Sequence, residues 1–283
     1  MTTQSLPAFS FAEPSPAISR PGWLRPSLSL CQRELVRFLR QRTRIIGSLA
    51  TPVMFWLFIG LGMQHSFRGA GLTNGGGFIE YFFAGTILMI LLFTAIFSTI
   101  SIIEDRREGF LQSVLVAPVP RMAIVLGKVL GGTVLAFGQA FIFLLLASTV
   151  GIHLTLLGFL GALLMMLIMS FSLTALGFCI AWRMSSTQGF HAIMNLFLMP
   201  MWFLSGALFP ASGAAGPVRW VMRANPLTYG LDGLRQCLYL GDAHVNDASP
   251  PFVICLMISI VFAAVLFALA SVIARKRVSA DLI

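Results

Sequence analysis

Charge is scarce in this chain. Only 10% of its 283 residues are Asp, Glu, Lys or Arg, against roughly 25% in soluble domains. Histidine is rarer still: His65, His153, His191 and His244 are isolated, and there is no H-E-x-x-H to place two imidazoles and a base around zinc. No metal site is expected. Cys31, Cys179, Cys237 and Cys255 are scattered without a C-x-x-C pair, which excludes a disulfide framework and a cysteine zinc site. Cys237 and Cys255 would fall on the same side of a membrane, which leaves their pairing open. A phosphate-binding loop is missing too, because Gly127-Lys128-Val129 lacks both the preceding glycine and the following Ser or Thr. Ser205, in Leu-Ser-Gly-Ala, has no evident base and reads as a small packing residue rather than a nucleophile. Residues 1–22 are rich in Ser, Pro and Ala and lack a basic start followed by an apolar core, so they read as a disordered tail rather than a secretory signal.

What is present is apolar length. The chain is 57% hydrophobic with mean hydropathy +0.88, and its runs are long enough to cross a bilayer. The expected fold is an all-α integral membrane protein with six transmembrane helices, over about 45–63, 78–103, 122–150, 156–181, 190–209 and 250–274. A single membrane domain over 23–275 is then flanked by the tail over 1–22 and a short tail over 276–283. With the N-terminus inside, the inner segments hold 15 of the 19 Lys and Arg residues and the outer ones 4. That split orients the chain with both termini cytoplasmic. The net charge of +9 is therefore a positive-inside signature, and nucleic acid is not an expected partner.

Three polar stretches stand out. In the first, Arg33, Arg37, Arg40 and Arg44 recur at helical spacing, with Leu28, Cys31, Leu35 and Phe38 on another face. This predicts an amphipathic helix in the headgroup layer, its arginines toward lipid phosphates or solvent. The second is Glu104-Asp105-Arg106-Arg107-Glu108-Gly109, wedged between two apolar runs and followed by Phe110, Leu111, Val114 and Leu115 at helical spacing until Pro118 and Pro120 stop them. Charges of this density belong at a membrane surface. The short apolar stripe fits either a groove on a soluble partner or the membrane itself. The third follows the fifth span, where Asn225-Pro226 breaks one short helix and starts another, as in segments that re-enter the membrane from outside. Within the spans, Gln139 and Asn195 read as interhelical hydrogen-bond partners or as polar groups on a pathway. Lys128 and His191 lie near inner ends, within snorkelling reach of the surface. Gly127-x-x-x-Gly131 would permit close helix packing.

Two of these stretches resemble the type-2 ABC transporter permeases. Glu104 to Gly109 with Leu115-Val116-Ala117-Pro118 is similar to that family's cytoplasmic E-R-E-x-G and L-x-x-[ST]-P motif. Asn225-Pro226-Leu227-Thr228-Tyr229-Gly230-Leu231-Asp232-Gly233-Leu234-Arg235 resembles its outer motif before the last span. Gln112 and Ala117 depart from the pattern, standing where a second glutamate and a Ser or Thr are frequent. The resemblance implies a permease subunit of an ATP-driven exporter in the cell inner membrane. It implies a second copy or close paralogue in the bilayer and separate ABC ATPase subunits carrying ATP and Mg, with no cofactor on this chain. Glu104, Asp105, Arg106, Arg107, Glu108, Gly109, Leu111, Leu115 and Pro118 would form the ATPase-coupling surface; Asn225, Pro226, Tyr229, Asp232 and Arg235 would form the outer re-entrant motif. The charge-poor spans, rich in Phe and Met, favour an amphiphilic or hydrophobic cargo such as a drug-like molecule, lipid or lipid-linked glycan. A secondary carrier or channel without an ATPase, and a membrane enzyme or scaffold, are the competing classes.

Overall fold

The computed structural model describes residues 22–63, 77–117, 119–240 and 250–275. Most of the Gly-rich loop expected after the first span, nearly all of the first 22 residues, the final tail and Pro118 lie outside them. The described chain is helical throughout. Helix α1 is Leu24–Arg40, α2 Arg42–Gly62, α3 Phe78–Arg107, α4 Phe110–Val116 and α5 Arg121–Leu144, which tightens into a 3-10 segment over Leu145–Val150. Then come α6 (Leu156–Ala181), α7 (Thr187–Trp202), α8 (Gly216–Ala224), α9 (Pro226–Leu238) and α10 (Phe252–Arg275). Six helices are long and apolar enough to cross a membrane: α2, α3, α5, α6, α7 with its continuation to Ala207, and α10.

The sequence explains most boundaries. Thr155 caps α6 by accepting from the Gly158 amide at 3.1 Å, and Ser186 caps α7 by accepting from Gly189 at 3.3 Å. The latter starts α7 three residues before the expected 190. Asn225 caps α9 through the Leu227 amide at 3.0 Å, with Pro226 in the first turn. Helix α3 runs four residues past the expected end of its span, to Arg107, because Glu104 to Arg107 continue its last turn. Pro200 lies inside α7, which passes into a π-helical turn over Phe203–Ala207; Gly206 there adopts φ 89°.

Helix α3 is the axis of the bundle. Buried residues make up 89% of its apolar window, against 22% for α2 and for α10. It is enclosed by α2, α5, α6 and α7. Rings fill one side of it: Trp56, Phe83 and Phe143 stack and edge together at 4.8–5.9 Å. Gln139 bridges three helices, accepting from Ser48 of α2 at 2.9 Å and from Thr94 of α3 at 2.6 Å. Close approach elsewhere depends on glycine. A Cβ on Gly127 or Gly131 of α5 would stand 2.7 Å from Ser27 or Glu34 of α1, so the Gly-x-x-x-Gly of α5 is the seat on which α1 lies.

Candidate functional site

At one end of the bundle α1, the first turn of α2, the end of α3 and the first turns of α5 share an ionic cluster whose centre is buried. Asp105, fully buried, is held bidentately by Arg33 at 2.8 and 3.0 Å, and by Arg37 and Lys128. Glu34 takes Lys128 at 2.6 Å. Arg37 also reaches Glu104 at 3.0 Å and Glu108 at 2.9 Å, and Arg44 pairs with Glu104. Four cations thus meet four carboxylates. Such a set is tolerable inside a protein only when every member is paired. Burial opposes the charge on Arg33, but Asp105, with Glu34 and Glu108 behind it, outweighs burial and raises its pKa above the ordinary arginine value. Burial, and then the Glu34 charge, push the Cys31 thiol up, because both disfavour a thiolate.

This arrangement corrects two expectations. Arg33, Arg37 and Arg44 do not face lipid phosphates or solvent; they turn inward onto α3, and of the four arginines only Arg40 is exposed. Lys128 does not snorkel outward: its ammonium is buried between Glu34 and Asp105. The cause is the glycine seat on α5, which brings α1 close enough for ion pairs to replace solvation.

The rest of the charged stretch ties helix ends together. Arg106 donates to the Trp182 and Met184 carbonyls and Arg107 to the Ser185 carbonyl, closing the end of α6. Arg121 donates to the last carbonyls of α10, at Ala274 and Arg275. Gly109, at φ 77°, turns the chain sharply into α4. There a third expectation changes. The apolar stripe of α4 faces inward, with Leu111 buried and Phe110 beneath the Arg33 guanidinium at 3.5 Å, while Val114 and Leu115 are half-buried. What α4 presents outward is Gln112, Ser113 and Val116, the last 88% exposed, beside Arg107 and Glu108. Along α1, beside Glu108, lies an open depression of about 480 Å³ lined by Arg33, Val36, Arg37, Arg40, Gln41 and Glu108.

At the opposite end the outer motif acts as a fastener for the π turn. The Gly206 carbonyl accepts from Tyr81 at 2.8 Å and from Arg235 at 2.8 Å, and the Arg235 guanidinium lies 4.1 Å over the Tyr81 ring. Asn225 donates to the Met201 carbonyl at 2.6 Å, and Tyr229 to the Arg223 carbonyl at 2.9 Å. Asp232 lies at 4.0 Å from Arg235. A π turn and a left-handed glycine leave carbonyls without helical donors, and this motif supplies them. All four cysteines are free thiols, so Cys237 and Cys255 do not pair. Among the described residues no cluster of His, Cys, Asp and Glu could hold a metal.

Six helices long and apolar enough to span a bilayer, a clamped amphipathic helix and a short helix hung from the charged end define a multi-pass membrane protein. Residues 27–239 match the family model described as ABC-2 type transporter, and the chain belongs to that family. It is 27% identical to Nodulation protein J of Rhizobium meliloti (strain 1021) over 237 residues, covering 82% of this chain and 86% of that one. Nodulation protein J of Rhizobium leguminosarum bv. viciae is 26% identical, covering 77% and 83%. A chain of Cyanophora paradoxa described as a transport permease, ycf38, is 24% identical, covering 73% and 71%. The protein is a transport permease subunit rather than an enzyme.

Proposed function

We propose that this chain is the membrane permease of an ATP-driven exporter in a cell inner membrane, with both termini cytoplasmic. Separate ABC ATPases dock on the 104–118 segment, and a second copy or close paralogue completes the transport unit. The observation that carries this reading is the mounting of α4. It is a short helix braced from behind by Leu111 and Phe110 and anchored through Glu108 to α1. It leaves an outward face on which Gln112, Ser113 and Val116 are exposed beside Arg107 and Glu108. A surface held that rigidly can pass a push to α1, α3 and α5 together, because one ionic cluster ties all three. The chain has no phosphate-binding loop of its own, so the push comes from another subunit. The cargo is amphiphilic or hydrophobic, in keeping with spans that carry few charges.

The test is reconstitution with the ATPase. Val116→Glu, on the outward face, is expected to lower ATP-driven export and ATPase co-purification by tenfold or more while leaving insertion and melting temperature unchanged. Glu108→Ala is expected to weaken export with a smaller loss of docking. Transport by the purified permease alone in liposomes, or undiminished export by Val116→Glu, would overturn the reading in favour of a carrier or channel.

A further inference from the structure

One residue separates α1 from α2. Helix α1 ends at Arg40, Gln41 bends away at φ -96°, ψ 75°, and α2 starts at Arg42. Because α2 is long and apolar enough to span a bilayer, its first turn stands where headgroups give way to hydrocarbon. No side chain caps it, so its first amides and the positive end of its dipole are left at the break. The open depression along α1 reaches this break, where Arg40 and Gln41 line it together with Arg33, Val36, Arg37 and Glu108. At about 480 Å³ it has the size of a small-molecule site, about 300–1,000 Å³.

The polar groups of this hollow are unequally satisfied. Arg33 and Arg37 are engaged by Asp105, and Arg37 also holds Glu108, the one carboxylate in the lining. Arg40 is exposed and has no acceptor among the described residues, and the same holds for Arg42, just past Gln41. The Gln41 carboxamide oxygen is buried and receives no hydrogen bond among the described residues. The break thus combines positive charge that lacks an anion with an acceptor that lacks a donor. The surface beside it turns apolar at once. Leu39 is 62% exposed and Ile46 64%, and Ile46, Ala50 and Met54 continue along α2 as an exposed stripe at four-residue spacing.

We propose that this hollow binds the headgroup of an anionic glycerophospholipid of the phosphatidylglycerol type, from the adjoining leaflet. The phosphate lies against Arg40 and Arg42 at the uncapped start of α2. A glycerol hydroxyl donates to the Gln41 oxygen, and an acyl chain follows Ile46, Ala50 and Met54 into the bilayer. A choline headgroup carries its own positive charge and has no donor to offer. Neither a free phosphate nor an acidic protein surface has a use for the apolar stripe. The bound lipid braces the joint between the clamped helix and the first span. The site requires only that the chain cross a bilayer, so it stands apart from the ATPase and pairing readings.

Native mass spectrometry of the full chain in detergent, titrated with dioleoyl phosphatidylglycerol or dioleoyl phosphatidylcholine, tests the site. The wild-type chain is expected to hold one phosphatidylglycerol at least about tenfold more tightly than phosphatidylcholine, the size of effect that a charged headgroup gains from two cations. Equal retention of the two lipids would overturn the inference, and this comparison needs no variant to fold. Arg40→Gln together with Arg42→Gln should weaken phosphatidylglycerol retention about thirtyfold, the effect of two cations at a lipid surface, whereas Arg40→Lys should keep most of it. Arg25→Gln is the control, at an exposed arginine about 22 Å away along α1. It should leave retention unchanged, and a loss as large as that of the double variant would reduce the site to diffuse surface charge. Phosphatidylglycerol should raise the melting temperature. An equal rise with inorganic phosphate would make this a free-anion site and overturn the lipid. Lost ATPase co-purification in the double variant, with phosphatidylglycerol retention intact, would assign the hollow to an acidic protein surface instead.

Discussion

Lys128 is the residue on which the charged end turns. Its ammonium joins Glu34 of α1 to Asp105 of α3 from a position on α5, with all three groups buried. Removing one partner from such a set strands the others, at about 3–5 kcal/mol, whereas removing both members of a pair can be nearly neutral. Lys128→Met should therefore lower the melting temperature of the detergent-solubilised protein sharply, and Lys128→Met with Glu34→Met should recover part of the loss. A single variant that melts like the wild type would show that the cluster contributes little to holding α1. This role was not legible from spacing. A lysine near the end of an apolar run looks like one that snorkels, and only the approach of α1 over Gly127 and Gly131 shuts off that route. Gln139 was legible as interhelical glue, because a buried amide must find partners and Ser48 and Thr94 lie at matching depth.

Among the elements, α4 and its turn decide how the charged stretch meets the outside. Gly109 occupies the left-handed region, and a Cβ there would meet nothing within 4 Å. Backbone conformation alone selects the glycine, at about 1–2 kcal/mol against an ordinary side chain. Gly109→Asn should accordingly preserve transport, since Asn visits that region. Gly109→Val should impair transport without loss of insertion, as measured by export rate against membrane-fraction yield. Equal export by both would mean that the direction of α4 is unimportant. Element positions were largely readable: α6 coincides with its apolar run, Asn225-Pro226 starts α9, and Arg107 to Gly109 separate α3 from α4. The face of α4 was not. Phe110, Leu111, Val114 and Leu115 look available to a partner in sequence, but a seven-residue helix beside Arg33 and the bundle end buries its own stripe first. The π turn after α7 was equally hidden, because its donors come from Tyr81 and Arg235, far apart in the chain.

For the whole molecule, the proposed orientation rests on where the arginines gather. Reporter fusions after Arg107 and after Arg275 should report the cytoplasmic side, and one in the 241–249 segment the opposite side; a reversed pattern would put the coupling surface out of reach of any ATPase. The six-span layout was visible in hydropathy alone, but the central place of α3 was not, since its apolar run looks like its neighbours'. That placement bears on biosynthesis. Helix α3 leaves the ribosome second among the spans, before α5, α6 and α7 exist to wrap it. Thr86, Ser98 and Thr99 each donate to a carbonyl of their own helix, whereas Tyr81, Thr94 and Ser101 meet partners on later-made elements, at Gly206, Gln139 and Lys128. A span destined for the centre can thus rest among acyl chains, half of its hydroxyls already quiet, until later-made helices displace the lipid around it.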